Sequence, residues 1–116
     1  MSNDLSLPRC GVVLVTASSQ IEAQAIARAL VQEKLAACVS ITAIESVYRW
    51  QEQLHQEPEW QLVIKTDLAN YAGLEARIQT LHSYAVPEII ALPIVAGAQP
   101  YLAWIAEQTQ LNSANA

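Results

Sequence analysis

Residues 37–51 (ACVSITAIESVYRWQ) carry the composition of one long strand, rich in β-branched and aromatic side chains. Val39, Ile41 and Ala43 fall on one face of it, and Tyr48 and Trp50 on the other. The adjacent pair Ala43-Ile44 breaks the alternation, which predicts a bend or bulge there. Residues 60–66 (WQLVIKT) alternate again, with Trp60, Leu62 and Ile64 against Gln61, Val63 and Lys65, so the polar segment QEQLHQEPE is expected to join the two as a hairpin.

The flanking segments complete a pattern. Gly11 to Ala17 (GVVLVTA) is short, β-branched and apolar, as a buried strand is, and it stops at Ser18-Ser19, a pair able to cap a helix. The helix that follows has an apolar stripe of Ile21, Ala25, Ile26, Ala29 and Leu30 and is expected to run to about Lys34, a cation suited to its negative end. Thr66-Asp67 offers caps for a second helix with the stripe Leu68, Tyr71, Leu74, Ile78 and Leu81, ending at His82. Residues 88–95 (EIIALPIV) are a last strand, in which Pro93 points to an edge or a bulge, and YLAWIAEQ closes the chain with a short helix after Pro100.

Strand, helix, strand, strand, helix, strand is the order of the split βαβ, or ferredoxin-like, plait, an α+β fold with an antiparallel sheet and both crossover helices on one face. The other face is then bare. Residues 11–110 are expected to form this single domain, with flexible termini at 1–10 and 111–116. Hydrophobic residues make up 53% of the chain and charged ones only 15%, a lean surface that predicts coverage by another subunit.

The net charge of −5, with no Lys/Arg run, argues against nucleic acid as a partner. No apolar stretch approaches the roughly 18 residues of a membrane helix, and the start, MSNDLSLPRC, lacks the cationic region of a signal peptide. Cys10 and Cys38 have neither CxxC spacing nor a disulfide-rich context and read as reduced thiols, so a cytoplasmic location is expected.

Several functions that the plait hosts elsewhere are excluded by composition. There are no closely spaced cysteines for an iron–sulfur cluster and no basic setting for RNA, and three glycines cannot build a phosphate cradle. Neither a nucleophile elbow nor a HExxH zinc helix is present. Cys38 has the chemistry to bind a soft metal such as copper, although a buried small apolar role is the simpler reading. His82 has an imidazole for a metal, or a charge for the end of its helix. His55 reads as solvated. Tyr71 lies on the helical stripe and reads as core, whereas Tyr48, Trp50, Tyr84 and Trp104 suit an interface equally well.

The segments KLAACVSI, SVYRW, the VIKT strand end, HSYAVPEI and YLAWI, in this order over residues 11–110, resemble the successive motifs of the CutA divalent-ion tolerance proteins. The resemblance implies an interlocked trimer of ferredoxin-like subunits, very stable and similar in architecture to the PII signal proteins, with clefts between neighbours. Its motif residues carry over as Cys38, Tyr48, Trp50, Lys65, His82, Tyr84, Pro87, Glu88, Tyr101 and Trp104, with Glu59 at an acidic position. Ser83 stands where the family usually has proline, Ala85 where an acidic or polar residue is common, and Glu52 where a hairpin glycine is usual.

Two functions follow as expectations. The first is a non-enzymatic homotrimer that binds copper or another divalent cation, without an organic cofactor, through Cys38 and His82. The second is a PII-like sensor whose intersubunit cleft of Tyr48, Trp50, Glu59, Lys65, Tyr84, Glu88 and Trp104 takes a small anionic metabolite, with Lys65 as the cation and Glu59 as an acceptor.

Overall fold

Alternation in the first strand determines where the core forms. In the computed structural model, which describes residues 9–110, β1 (Cys10–Ala17) turns Val13, Val15 and Ala17 to one side, where all three are fully buried. Cys10, expected in a flexible leader, is instead the first residue of this strand and is buried; the remaining terminal stretches, 1–8 and 111–116, lie outside the described residues.

Ser19 caps α1 (Gln20–Gln32) by accepting the Glu22 N–H at 3.1 Å. The buried face of α1 is Ala23, Ile26, Ala27 and Leu30, a rotation of the expected stripe, and Ile21 is 79% exposed. The helix ends earlier than expected. Lys34 adopts a left-handed φ of 63°, and Leu35 and Ala36 donate back to the Leu30 carbonyl as the chain turns into β2.

Strands β2 (Cys38–Trp50) and β3 (Gln53–Asp67) pair antiparallel from Cys38↔Lys65 to Trp50↔Gln53 without a break in register. No bulge occurs at Ala43-Ile44. Nor is the segment QEQLHQEPE a loop: the turn is Gln51-Glu52 alone, with φ of 53° and 65°, and the remainder is strand. Two successive positive φ values are the mark of a tight hairpin turn whose twist matches the strands.

After β3, Asp67 caps a 3-10 turn (Leu68–Asn70) that leads into α2 (Tyr71–Leu81). β4 (Ile89–Pro93) and α3 (Gln99–Gln108) follow, the latter with Pro100 in its first turn. The strand order is β2-β3-β1-β4, antiparallel throughout, so Pro93 ends an edge strand as expected. Leu74 and Ile78 of α2 join α1, Leu62 and Ile64 in one core on one side of the sheet, and Ile105 of α3 packs with Cys10 and Ala37 in a second, smaller cluster.

The opposite side of the sheet is thinly covered. Val12, Leu14, Val63, Ile90 and Leu92 share it by register, and Ile90 and Leu92 remain about half exposed. Beyond Ala17↔Trp60, where β1 ends, the β2–β3 ribbon continues with no further strand beside it and exposes Val47, Trp50 and Leu54. A two-stranded ribbon is marginal on its own in water.

Candidate functional site

Period-2 alternation in β2 sets Ser46, Tyr48 and Trp50 on the thinly covered side of the ribbon, and register sets Glu59 of β3 beside them. The loop from α2 to β4 then brings Tyr84 and Glu88 against these residues, closing a cavity of about 590 Å³ with Thr16 also in its wall. The Tyr84 hydroxyl donates to Glu59 Oε2 at 2.7 Å, and the Tyr48 hydroxyl donates to Glu57 Oε1 at 2.8 Å. His55, expected to be solvated, stacks on Tyr48 with ring centroids 5.2 Å apart.

The charge of this cavity is one-sided. Glu59 is only 7% exposed, yet among the described residues no Lys, Arg or His lines the space. Partial desolvation, followed by the nearby Glu59 carboxylate, pushes the Glu88 carboxyl above its usual range. Burial first, and then the bond to Glu59, push the Tyr84 hydroxyl far up, so it stays a donor at neutral pH.

The loop carrying Tyr84 is held by His82 and Glu22. The His82 side chain is fully buried: its Nε2 lies 2.7 Å from the Thr16 carbonyl, to which it donates, and its Nδ1 accepts the Tyr84 N–H at 3.1 Å. Glu22 Oε2 accepts the Ser83 N–H at 2.7 Å and Oε1 accepts the Ser83 hydroxyl at 3.1 Å.

Of the residues expected to form a cleft, Tyr48, Trp50, Glu59, Tyr84 and Glu88 therefore come together. Lys65 and Trp104 do not. Lys65 is six residues along β3 from Glu59, roughly 20 Å at strand spacing, paired with Val12 and Cys38. Trp104 sits on α3 against Tyr101 with ring centroids 5.4 Å apart. The sensor reading places Lys65 in a cleft between subunits; within one chain, among the described residues, no cation lines this cavity.

The two expected metal ligands are likewise apart within one chain. Thr16, to which His82 is bonded, pairs with Gln61, and Cys38 pairs with Lys65, an offset of four residues or roughly 13 Å along β3. Both imidazole nitrogens of His82 are already engaged, so ligation would first have to break a buried bond. Cys38 is half-buried at the start of edge strand β2. Among the described residues no three His, Cys, Asp or Glu side chains cluster as a metal site.

Glu22 and Glu57 were not singled out by sequence. Glu57 follows from the alternation once the strand is known to reach Gln53, but the partnership of Glu22 with Ser83 spans 61 residues and carries no local signal.

A βαββαβ sheet with one open face and an acidic, aromatic-walled cavity at its end defines a protein of the ferredoxin-like α+β class. A profile described as CutA1 divalent ion tolerance protein matches residues 11–108, and the chain belongs to that family. It is 46% identical over 99 residues to the divalent-cation tolerance protein CutA of Thermus thermophilus, covering 84% of this chain and 96% of that one. It is 42% identical over 100 residues to the chloroplastic CutA protein of Arabidopsis thaliana, covering 85% of this chain and 55% of that one. The solved structure of the periplasmic divalent cation tolerance protein CutA from Archaeoglobus fulgidus superposes with a TM-score of 0.85 at 35% identity, covering 87% of this chain and 99% of that one. These relatives correct one expectation. With one described as chloroplastic and another as periplasmic, the domain does not specify a cytoplasmic location. No helix among the described residues is long and apolar enough to cross a membrane.

Proposed function

We propose that the protein is a non-enzymatic homotrimer of PII-like architecture that binds divalent cations, copper foremost, and contributes to metal tolerance. The observation that carries this reading is the apolar sheet face of Val12, Leu14, Val63, Ile90 and Leu92, continuous with the projecting ribbon. Such a surface needs a second copy of the chain to cover it. Membership of a divalent ion tolerance family supports the role in handling ions. With His82 committed to backbone groups, Cys38 is the soft ligand to test.

Light scattering at micromolar concentration tests the assembly, with three times the 12.7 kDa chain mass expected. Copper titration under reducing conditions tests the site. Copper is expected to bind more tightly than magnesium or calcium, which prefer all-oxygen shells, and Cys38→Ser to weaken copper while leaving the trimer intact. A persistent monomer, or copper affinity unchanged in Cys38→Ser, would overturn the corresponding half of the reading.

A further inference from the structure

The cavity between the ribbon and the α2–β4 loop lies about 20 Å along β3 from the Cys38 end of the sheet, so its occupant is a separate question from copper at that thiol. Its chemistry is specific. Glu59 is 7% exposed and receives one hydrogen bond, from Tyr84 to Oε2; its Oε1 has no donor among the described residues. A carboxylate has capacity for about four hydrogen bonds, and no buried side-chain oxygen among the described residues lacks a partner, so Oε1 is open to a donor that enters the cavity. Glu88 lines the same space, and partial desolvation first, then the neighbouring Glu59 carboxylate, raise its carboxyl.

Within one chain an anion finds no cation to hold it. Both tyrosine hydroxyls already donate to carboxylates, and among the described residues no basic side chain lines the walls. A bare metal ion is a poor match as well, because no group of three ligands forms among the described residues and Tyr48, Trp50 and Tyr84 make much of the surface aromatic. Aromatic faces beside carboxylates are the environment of an organic cation: the faces take its apolar body and its charge, and the acids take its N–H donors.

We propose that this cavity binds a small organic primary ammonium, with Glu59 Oε1 and the Glu88 carboxylate accepting from the ammonium and Tyr48, Trp50 and Tyr84 enclosing the carbon body. The inference goes beyond the metal reading and does not depend on it.

The test compares three probes of one shape and different charge, by calorimetry on the full chain at pH 7 with a chelator present: 2-phenylethylammonium, the neutral 2-phenylethanol and the anionic phenylacetate. The ammonium is expected to bind at least about tenfold more tightly than the alcohol, the value of one charge-assisted hydrogen bond, and phenylacetate not to bind. Glu59→Gln and Glu88→Gln should each reduce ammonium affinity by about tenfold and leave the alcohol unchanged. Should Glu59→Gln fail to fold, the probe comparison on the native chain and the Glu88→Gln variant still decide. Equal affinity for the alcohol or the acid, no binding of the ammonium, or Glu59-dependent binding of Mn²⁺ alone in a chelator-free titration without ammonium binding would each overturn the proposal.

Discussion

Glu22, in the first turn of α1, holds Ser83, 61 residues further along, by two hydrogen bonds: the Ser83 N–H to Oε2 at 2.7 Å and the Ser83 hydroxyl to Oε1 at 3.1 Å. This clamp fixes the start of the loop whose next residue, Tyr84, enters the cavity. Burial alone would raise the Glu22 carboxyl; the bonds from Ser83, aided by His82 and Ser18, outweigh it and hold the group below its usual range. A depressed carboxyl contributes stability above its unfolded pKa of about 4.3 and loses it as pH falls through the lower folded value. Glu22→Gln is therefore expected to cost about 1–2 kcal/mol at pH 7, a difference that shrinks at pH 3, as read by urea melts at the two pH values.

Glu88 has the opposite sign. Its carboxyl is raised, so its contribution is fully present below the unfolded value and is lost as pH rises through the folded one. At pH 7 the charge strains the cavity, and Glu88→Gln should stabilise the free protein, by less than about 1 kcal/mol given its exposure to solvent. Thermal melts at pH 7 and pH 3.5 check this: the gain should be present at the first and absent at the second.

The ribbon turn stores strain that two substitutions can release. Gln51 and Glu52 both occupy the left-handed region, which Asn and Gly enter at lower cost. Gln51→Asn with Glu52→Gly is expected to raise stability by about 0.5–1 kcal/mol after allowing for the extra freedom of glycine in the unfolded chain, measurable by chemical denaturation.

The open sheet face offers a direct test of assembly. Ile90 and Leu92 lie side by side with Leu14 and Val12, and an ammonium at either position would be desolvated by a covering subunit. Ile90→Lys with Leu92→Lys should shift light scattering from the trimer mass towards that of the single chain, while circular dichroism retains the helix and strand signals.

The core was legible because period 2 in β1 and β3 coincides with burial on one side: Val13, Val15, Leu62 and Ile64 alternate in sequence and are all fully buried. Where the rule failed, the cause is physical. Ile21 belongs to the core stripe of α1 by hydropathy alone, but the buried face runs through Ala23, Ile26, Ala27 and Leu30 and leaves Ile21 in solvent. The segment QEQLHQEPE resembles a loop because the more buried side of this part of β3 is made of the polar His55, Glu57 and Glu59, so its strand has no apolar side to display. Ala43-Ile44 suggests a bulge because two adjacent apolar residues break the alternation; Ala43 is in fact exposed, and the register passes through unbroken. Within one chain, strand parity places Lys65 on the same face as Glu59, but the distance along β3 sets the two apart, which parity alone does not show.

The unbroken register of β2 against β3 also restricts how this arm can change in length. One residue inserted between Ile44 and Tyr48 would turn Tyr48 and Trp50 to the far side of the ribbon and empty two walls of the cavity at once. Two residues added to each strand near the tip would leave every face as it is and advance the turn by about 6.6 Å. The reach of the arm is thus quantised, and relatives or designed variants that retain the cavity should differ in ribbon length by even steps matched on both strands.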